Sequence, residues 1–183
     1  LVLLDSAWGA PATEELLAWI DEHIGLPVQR AISTHFHDDR TGGADVLKAA
    51  GVEVWAHPMT RRLSAREGNP VPENALPGLE SPGSAVRWGS LEVLYPGGGH
   101  APDNLMVWLP RQHILYGGCA VREMATDSLG NTGDADLDSW PRAISIAQQR
   151  YRNAERVIPG HGEPGGPRLL SHMHELFKAR GLE

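Results

Sequence analysis

A single cysteine in 183 residues rules out an internal disulfide, so that one thiol needs another reason to be there. Basic residues are also scarce: 16 Lys and Arg stand against 23 Asp and Glu, a net charge of −7. Phosphate-binding surfaces normally show as a basic excess or stripe, so nucleic acid is not an expected partner. No apolar run approaches the roughly 20 residues that cross a bilayer, so no membrane span is expected. The chain opens LVLLDSAWG, with no initiator Met, no basic n-region and no small-residue cleavage site, hence no visible targeting signal. Such an apolar, strand-like run at the first residue reads as a cut through structure. No linker, low-complexity tract or fixed-period repeat divides the chain, and a single domain over residues 1–183 is expected.

What is present alternates between strand and helix patterns. Leu1 to Leu4 is a short apolar run, expected as a buried strand ending at Asp5. Pro11, Thr13, Glu14 and Glu15 open a helix with an apolar stripe of Leu16, Leu17, Ile20 and Ile24, and Gly25 is placed to end it. Val28 to Ser33 reads as a second strand, Ala44 to Ala50 as a short helix stopped by Gly51, and Val52 to Ala56 as a third strand. Asn69 to Gly83 reads as a Pro- and Gly-rich surface segment. Four short strands follow, at Ala85–Trp88, Leu91–Tyr95, Leu105–Leu109 and His113–Tyr116, with WGS and LPRQ as hairpin turns. Helices over Leu137–Tyr151 and Arg168–Arg180 flank a strand at RVI. This mixture predicts a layered α/β sandwich with helices outside.

The chemistry-bearing residues fall where strands end. In STHFHDDRTGG, His35 and His37 project to one side if the segment is extended, and Asp39 continues that alternation. Phe36 and Asp38 would point the other way, Phe36 as a packing residue and Asp38 as a support behind the ligands. His100 follows YPGGG, Cys119 follows HILYGG and His161 follows RVIPG, so strand, glycine and ligand recur in that order three times. Taken singly, each His is more simply a hydrogen-bonding residue and the Cys a small buried one. Taken together, His35, His37 and His100 make a three-imidazole set with one tetrahedral position left for water. Asp39, Cys119 and His161 make a second set whose thiolate favours zinc over magnesium or calcium. The other histidines, His23, His57, His113, His172 and His174, are assigned ordinary hydrogen-bonding or solvent-facing places. Trp19, Trp55, Trp88, Trp108 and Trp140 are assigned to the core, while Trp8 could line a pocket.

The stretches THFHDDRTGG, GGGH, YGGCAVRE, GNTGDADL and VIPGHG together resemble the motifs of class B metallo-β-lactamases, most closely the Verona (VIM) type. Arg40 stands where the wider superfamily usually carries His, and Cys119 where it usually carries Asp. Both departures point to the β-lactamases whose second zinc is held by Asp, Cys and His. The resemblance runs over essentially the whole chain and implies the αββα four-layer sandwich of that family, without its N-terminal strands. It implies two Zn2+ ions held by His35, His37 and His100 and by Asp39, Cys119 and His161, with Asp5 and Arg40 supporting them from behind. It implies substrate-carboxylate recognition by Arg122, carbonyl polarisation by Asn131, and orientation by Asp39 of a hydroxide generated at the metal.

The function implied is zinc-dependent hydrolysis of the β-lactam amide in penicillins, cephalosporins and carbapenems, conferring antibiotic resistance. A small-molecule β-lactam is the implied partner, a monomer the implied state and the periplasm the implied location. From the residues themselves two alternatives stay open. One is a hydrolase of the same superfamily acting on a lactone or thioester; the other is a non-catalytic zinc-binding fragment. Arg122 could also be a surface arginine paired with Glu123 or Asp127, and Asn131 a turn residue that tolerates positive φ.

Overall fold

A computed structural model describes residues 1–182, which form nine strands and six helices. The chain divides into two compact units, Leu1–Pro77 and Gly78 onward, each built on one sheet. Among the described residues no helix is long and apolar enough to cross a membrane.

The first unit runs β1 (Val2–Leu4), α1 (Gly9–His23), β2 (Arg30–Ser33), α2 (Asp38–Thr41), α3 (Ala44–Ala49), β3 (Glu53–Ala56), α4 (Pro58–Glu67) and β4 (Asn74–Ala75). Its sheet has the order β1-β2-β3-β4, and every neighbouring pair is parallel. All four strands therefore deliver their C-terminal ends to one edge. In open α/β sheets that edge is where ligands are held. Ala31 and Val54 from the sheet close a small core with Ala44 and Leu47 of α3, and Leu3 and Leu17 pack against it. Three expectations fail here. The run Leu1 to Leu4 is an edge strand rather than a buried one, with Leu1 and Val2 about two-fifths exposed. Trp19 is likewise half exposed and stacks on His23 at 4.7 Å instead of entering the core. The Pro- and Gly-rich segment is not all surface, since it contributes β4 and the fully buried Leu76 and Leu79.

The second unit runs β5 (Ser84–Trp88), β6 (Leu91–Tyr95), β7 (Met106–Leu109), β8 (Ile114–Gly118), α5 (Trp140–Arg150), β9 (Arg156–Pro159) and α6 (Arg168–Ala179). β5 to β8 form an antiparallel meander joined at the turns expected from WGS and LPRQ, and β9 adds parallel to β8. β6, β8 and β9 thus point the same way. Consecutive residues Val93 and Leu94, and Met106 and Val107, are all buried, which is why these strands read as apolar runs rather than alternations. Trp140 and Ile144 of α5 and Met173 and Phe177 of α6 meet Leu94, Met106 and Leu115 in one core. Each such side chain, fully buried, contributes about 1.5–3 kcal/mol. Trp108 and Trp140 are core residues as expected, whereas Trp55 and Trp88 are only half-buried.

Candidate functional site

In the first unit the ligand-type residues follow β2. Thr34 and His35 are fully buried as the strand ends, and the chain then turns into α2 at Asp38. Asp38 and Asp39 occupy the first turn of that helix, where acidic side chains complement the exposed N–H groups. Asp39 reaches back from this helix to His35, which precedes it, Oδ1 standing 3.8 Å from Nε2, and not by the strand alternation expected from sequence. His35 and His37 do converge: Nε2 of one lies 3.0 Å from Nδ1 of the other. Phe36 is buried, as expected of a packing residue, and its ring meets that of His37 edge-on. Asp38 does not support the ligands, because it is exposed and lies against Gly42, where a Cβ would overlap it.

Behind this loop stands a buried network that starts at Asp5. Asp5 adopts φ 66°, a conformation Asp tolerates better than most L-residues, and so turns its carboxylate inward. There it accepts the Thr34 N–H at 2.7 Å and the Thr34 hydroxyl at 2.9 Å, fixing the residue immediately before His35. Arg40 lies between two carboxylates, its Nε 3.6 Å from Asp5 and its Nη2 3.4 Å from Asp39. Arg40 thus links the Asp5 carboxylate to that of Asp39. Several supports carried no sequence signal. Ser6 Oγ donates to the Arg40 carbonyl and accepts the Gly43 N–H, Thr41 Oγ1 donates to the Phe36 carbonyl, and Asn69 donates to the same oxygen. At Gly43 a Cβ would overlap the Thr13 side chain, so a bare backbone is required. His57, at the end of β3, accepts the Met59 N–H and caps α4.

In the second unit, β8 and β9 end side by side, with Gly118 paired to Pro159. Cys119 and His161 follow those ends, and Sγ stands 3.5 Å from Nε2. Gly160 makes this approach possible: a Cβ there would come within 2.5 Å of Cys119 N and Sγ. His100 follows β6, hence the same edge of the sheet, and its half-buried ring meets Trp140 edge-on. Its loop is fastened by the Asp136 N–H donating to the Gly99 carbonyl at 2.9 Å, and Gly98 leaves room for the Asp136 carboxylate.

Arg122 and Asn131 lie on the segment after Cys119. The Arg122 Nε is buried without a hydrogen-bond partner, and among the described residues no carboxylate pairs with the guanidinium. Glu123 is engaged elsewhere, accepting the Glu163 N–H beside His161. Gly130, at φ +72°, gives the Arg122 guanidinium its space: a Cβ would stand 3.1 Å from Nη1. Asn131 is exposed and its Oδ1 accepts the Gly133 N–H at 3.0 Å, so it serves as a turn residue. His172, expected to face solvent, is instead buried between Glu175 and the Thr126 carbonyl.

Donor chemistry and spacing can be compared with what zinc requires. Tetrahedral zinc, with Zn–N near 2.05 Å and Zn–S near 2.3 Å, separates a bound S and N by about 3.5 Å and two bound N by about 3.3 Å. The Cys119 to His161 distance of 3.5 Å matches the first edge, and the His35 to His37 distance of 3.0 Å lies close to the second. Both pairs fit the ion.

The Metallo-beta-lactamase superfamily profile matches residues 1–161. The chain belongs to the metallo-β-lactamase superfamily. A curated relative, the metallo-β-lactamase type 2 of Bacillus cereus, is 37% identical over 180 residues, spanning 97% of this chain and 69% of that protein. The crystal structure of a metallo-β-lactamase from Hirschia baltica superposes with a TM-score of 0.92 at 39% identity, covering 96% of this chain and 80% of that one. The metallo-β-lactamase FIM-1 from Pseudomonas aeruginosa, solved in its mono-zinc form, gives a TM-score of 0.92 at 33% identity over 100% and 80% of the two chains. The fold is therefore that of the metallo-β-lactamases, each unit contributing one sheet and its helices.

Proposed function

We propose that this chain, acting as a single metallo-β-lactamase domain, hydrolyses the amide bond of β-lactam antibiotics with zinc. The observation that carries the reading is the soft donor pair at the ends of β8 and β9, Cys119 and His161, in a chain whose curated relatives are metallo-β-lactamases. His35, His37 and His100 would hold one ion; Asp39, Cys119 and His161 would hold the second. Six donors in two sets of three support occupancy by two ions. When bound, zinc supplies Lewis-acid chemistry, making water nucleophilic near neutral pH and polarising a carbonyl.

The chain's own groups do the rest. Asp39 accepts a hydrogen bond from the attacking water and so aims its oxygen at the lactam carbonyl carbon. Arg40, held by Asp5, keeps the Asp39 carboxylate in place. The Arg122 guanidinium, with no carboxylate of its own among the described residues, pairs with the substrate carboxylate in two parallel hydrogen bonds and sets the ring's orientation. The Asn131 amide, its oxygen tied to Gly133, presents N–H to the developing oxyanion, a contribution of about 3 kcal/mol for a well-placed donor. Across the reaction a C–O bond forms, the ring C–N bond breaks, and a proton of the water ends on the nitrogen.

Membership of the Verona-type branch, turnover of carbapenems, a monomeric state and action in the periplasm as a resistance determinant belong to the same proposal. They are supported by the motif spellings and by the Arg40 and Cys119 substitutions. The deciding experiment measures hydrolysis of a penicillin, a cephalosporin and a carbapenem with and without chelator, in the wild type and in Cys119→Ser. Turnover should stop on chelation, return with zinc, and fall more than about a hundredfold in the variant, beyond the 10–100-fold cost of losing a ligand's support alone. Chelator-insensitive turnover, or faster cleavage of a lactone or thioester, overturns it.

A further inference from the structure

The segment carrying Arg122 and Asn131 has no ladder of its own, since β8 ends at Gly118 and α5 begins only at Trp140. Its backbone groups must find partners elsewhere or stay mobile. α6 and its C-cap residue Arg180 supply three of the ties. Met173 Sδ accepts the Arg122 N–H at 3.2 Å, His172 Nε2 meets the Thr126 carbonyl oxygen at 2.9 Å, and Arg180 donates to Thr132 Oγ1 at 3.3 Å. Val121 and Leu129 are plugged into the core beside Met173 and Phe177. Between those plugs the chain arches outward, and Met124 is two-fifths exposed. His172 is the tie at the middle of that arch. A carbonyl oxygen can only accept, so the proton sits on Nε2 and His172 is the donor. Glu175 Oε2 lies 3.3 Å from Nδ1 on the same helix, an ion pair when Nδ1 also carries a proton. His172 is only 8% exposed, so water competes poorly for the bond.

We propose that His172 is a positioning residue for substrate recognition: its Nε2–H, donated to the Thr126 carbonyl, clamps the recognition loop to α6 and sets where the Arg122 guanidinium and Asn131 amide stand. The inference rests on the reading above, in which those two groups meet the substrate.

The test uses the whole chain supplied with zinc. His172→Leu removes both ring nitrogens. His172→Gln restores a donor near the Nε2 position, and His172→Asn restores one near Nδ1 only. Hydrogen exchange of the amides between Arg122 and Asn131 should speed about tenfold in the Leu and Asn variants and stay near wild type in Gln. For a β-lactam, KM should rise about tenfold in the same two variants with kcat within about twofold, the pattern of lost binding rather than lost chemistry. Exposed Arg180→Ala, which leaves the core untouched, should shift both readouts in the same direction by less. Wild-type exchange in both the Leu and Asn variants overturns the clamp, as does a fall in kcat at constant KM. If no β-lactam is turned over even by the wild type, the hydrolase reading fails, and the exchange series still decides whether His172 holds the loop.

Discussion

Replacing Gly160 by Ala adds one methyl group at the most crowded point of the second unit's ligand pair. The new Cβ would sit 2.5 Å from both Cys119 N and Sγ and 2.6 Å from its Cα. Comfortable carbon contacts lie near 3.5–4.0 Å, so the overlap is about 1 Å, and two of the three atoms are backbone that no rotamer change can move aside. The ends of β8 and β9 must part. Overpacking of this kind costs about 2 kcal/mol, which in a chain of this length lowers Tm by roughly 4–8 °C. Separating the strands by even part of that overlap also stretches the 3.5 Å gap between Sγ and His161 Nε2 beyond a tetrahedral edge, and zinc affinity should fall at least about tenfold. Thermal melts with and without zinc, and competition against a chromogenic chelator, measure both effects. Gly166→Ala is the control, because its Cβ would meet nothing closer than Glu155 O at 3.9 Å. If Gly160→Ala melts and binds zinc like Gly166→Ala, the close-approach argument is wrong.

Asp5→Ala leaves Arg40 buried without its inner carboxylate and Thr34 without its acceptor, and should cost about 3–5 kcal/mol in urea denaturation, with Asp5→Asn clearly milder. Arg122→Ala should raise KM for carboxylate-bearing β-lactams at least about tenfold while kcat holds, and an unchanged KM would remove Arg122 from the site. Glu92 supplies a pH test. The hydrogen bond from Arg150 depresses its pKa from the ordinary 4.5, helped by Tyr151 and partly offset by burial. A depressed carboxylate adds stability above its unfolded pKa and loses it as pH falls through the folded value, so the gap between wild type and Glu92→Gln should be full at neutral pH and close below pH 4.5. A gap that instead widens on acidification would contradict the pairing.

The meander β5 to β8 was legible because its strands are short apolar runs and two carry tight-turn sequences between them. α4 was not: its cap is His57 followed by Pro58, not the Ser, Thr, Asp or Asn that usually mark a helix start. The approach of His35 to His37 and of Cys119 to His161 was readable from residue type and position, since each pair follows strand ends. The path of the chain between them was less so. Asp38 and Asp39 open a helix, and two consecutive acids at that point were the available signal for it. Ser6, Thr41 and Asn69 bind backbone atoms, a role that any polar residue could fill and that leaves no pattern in sequence. His172 was misplaced because α6 buries Leu169, Leu170, His172, Met173, Leu176 and Phe177, a wider stripe than a single apolar face suggests.

β1 is three residues long, lies at the border of its sheet and is partly open to water, yet Asp5 at its end anchors the residue next to His35. The loop that carries His35 and His37 is thus moored to an exposed seam of the first unit. On warming, that seam should unzip before either core melts, and the histidines would lose their alignment while most of the chain is still folded. Inactivation would then run ahead of denaturation, and reinforcing a three-residue strand far along the sequence from Cys119 would be the direct way to extend the working temperature.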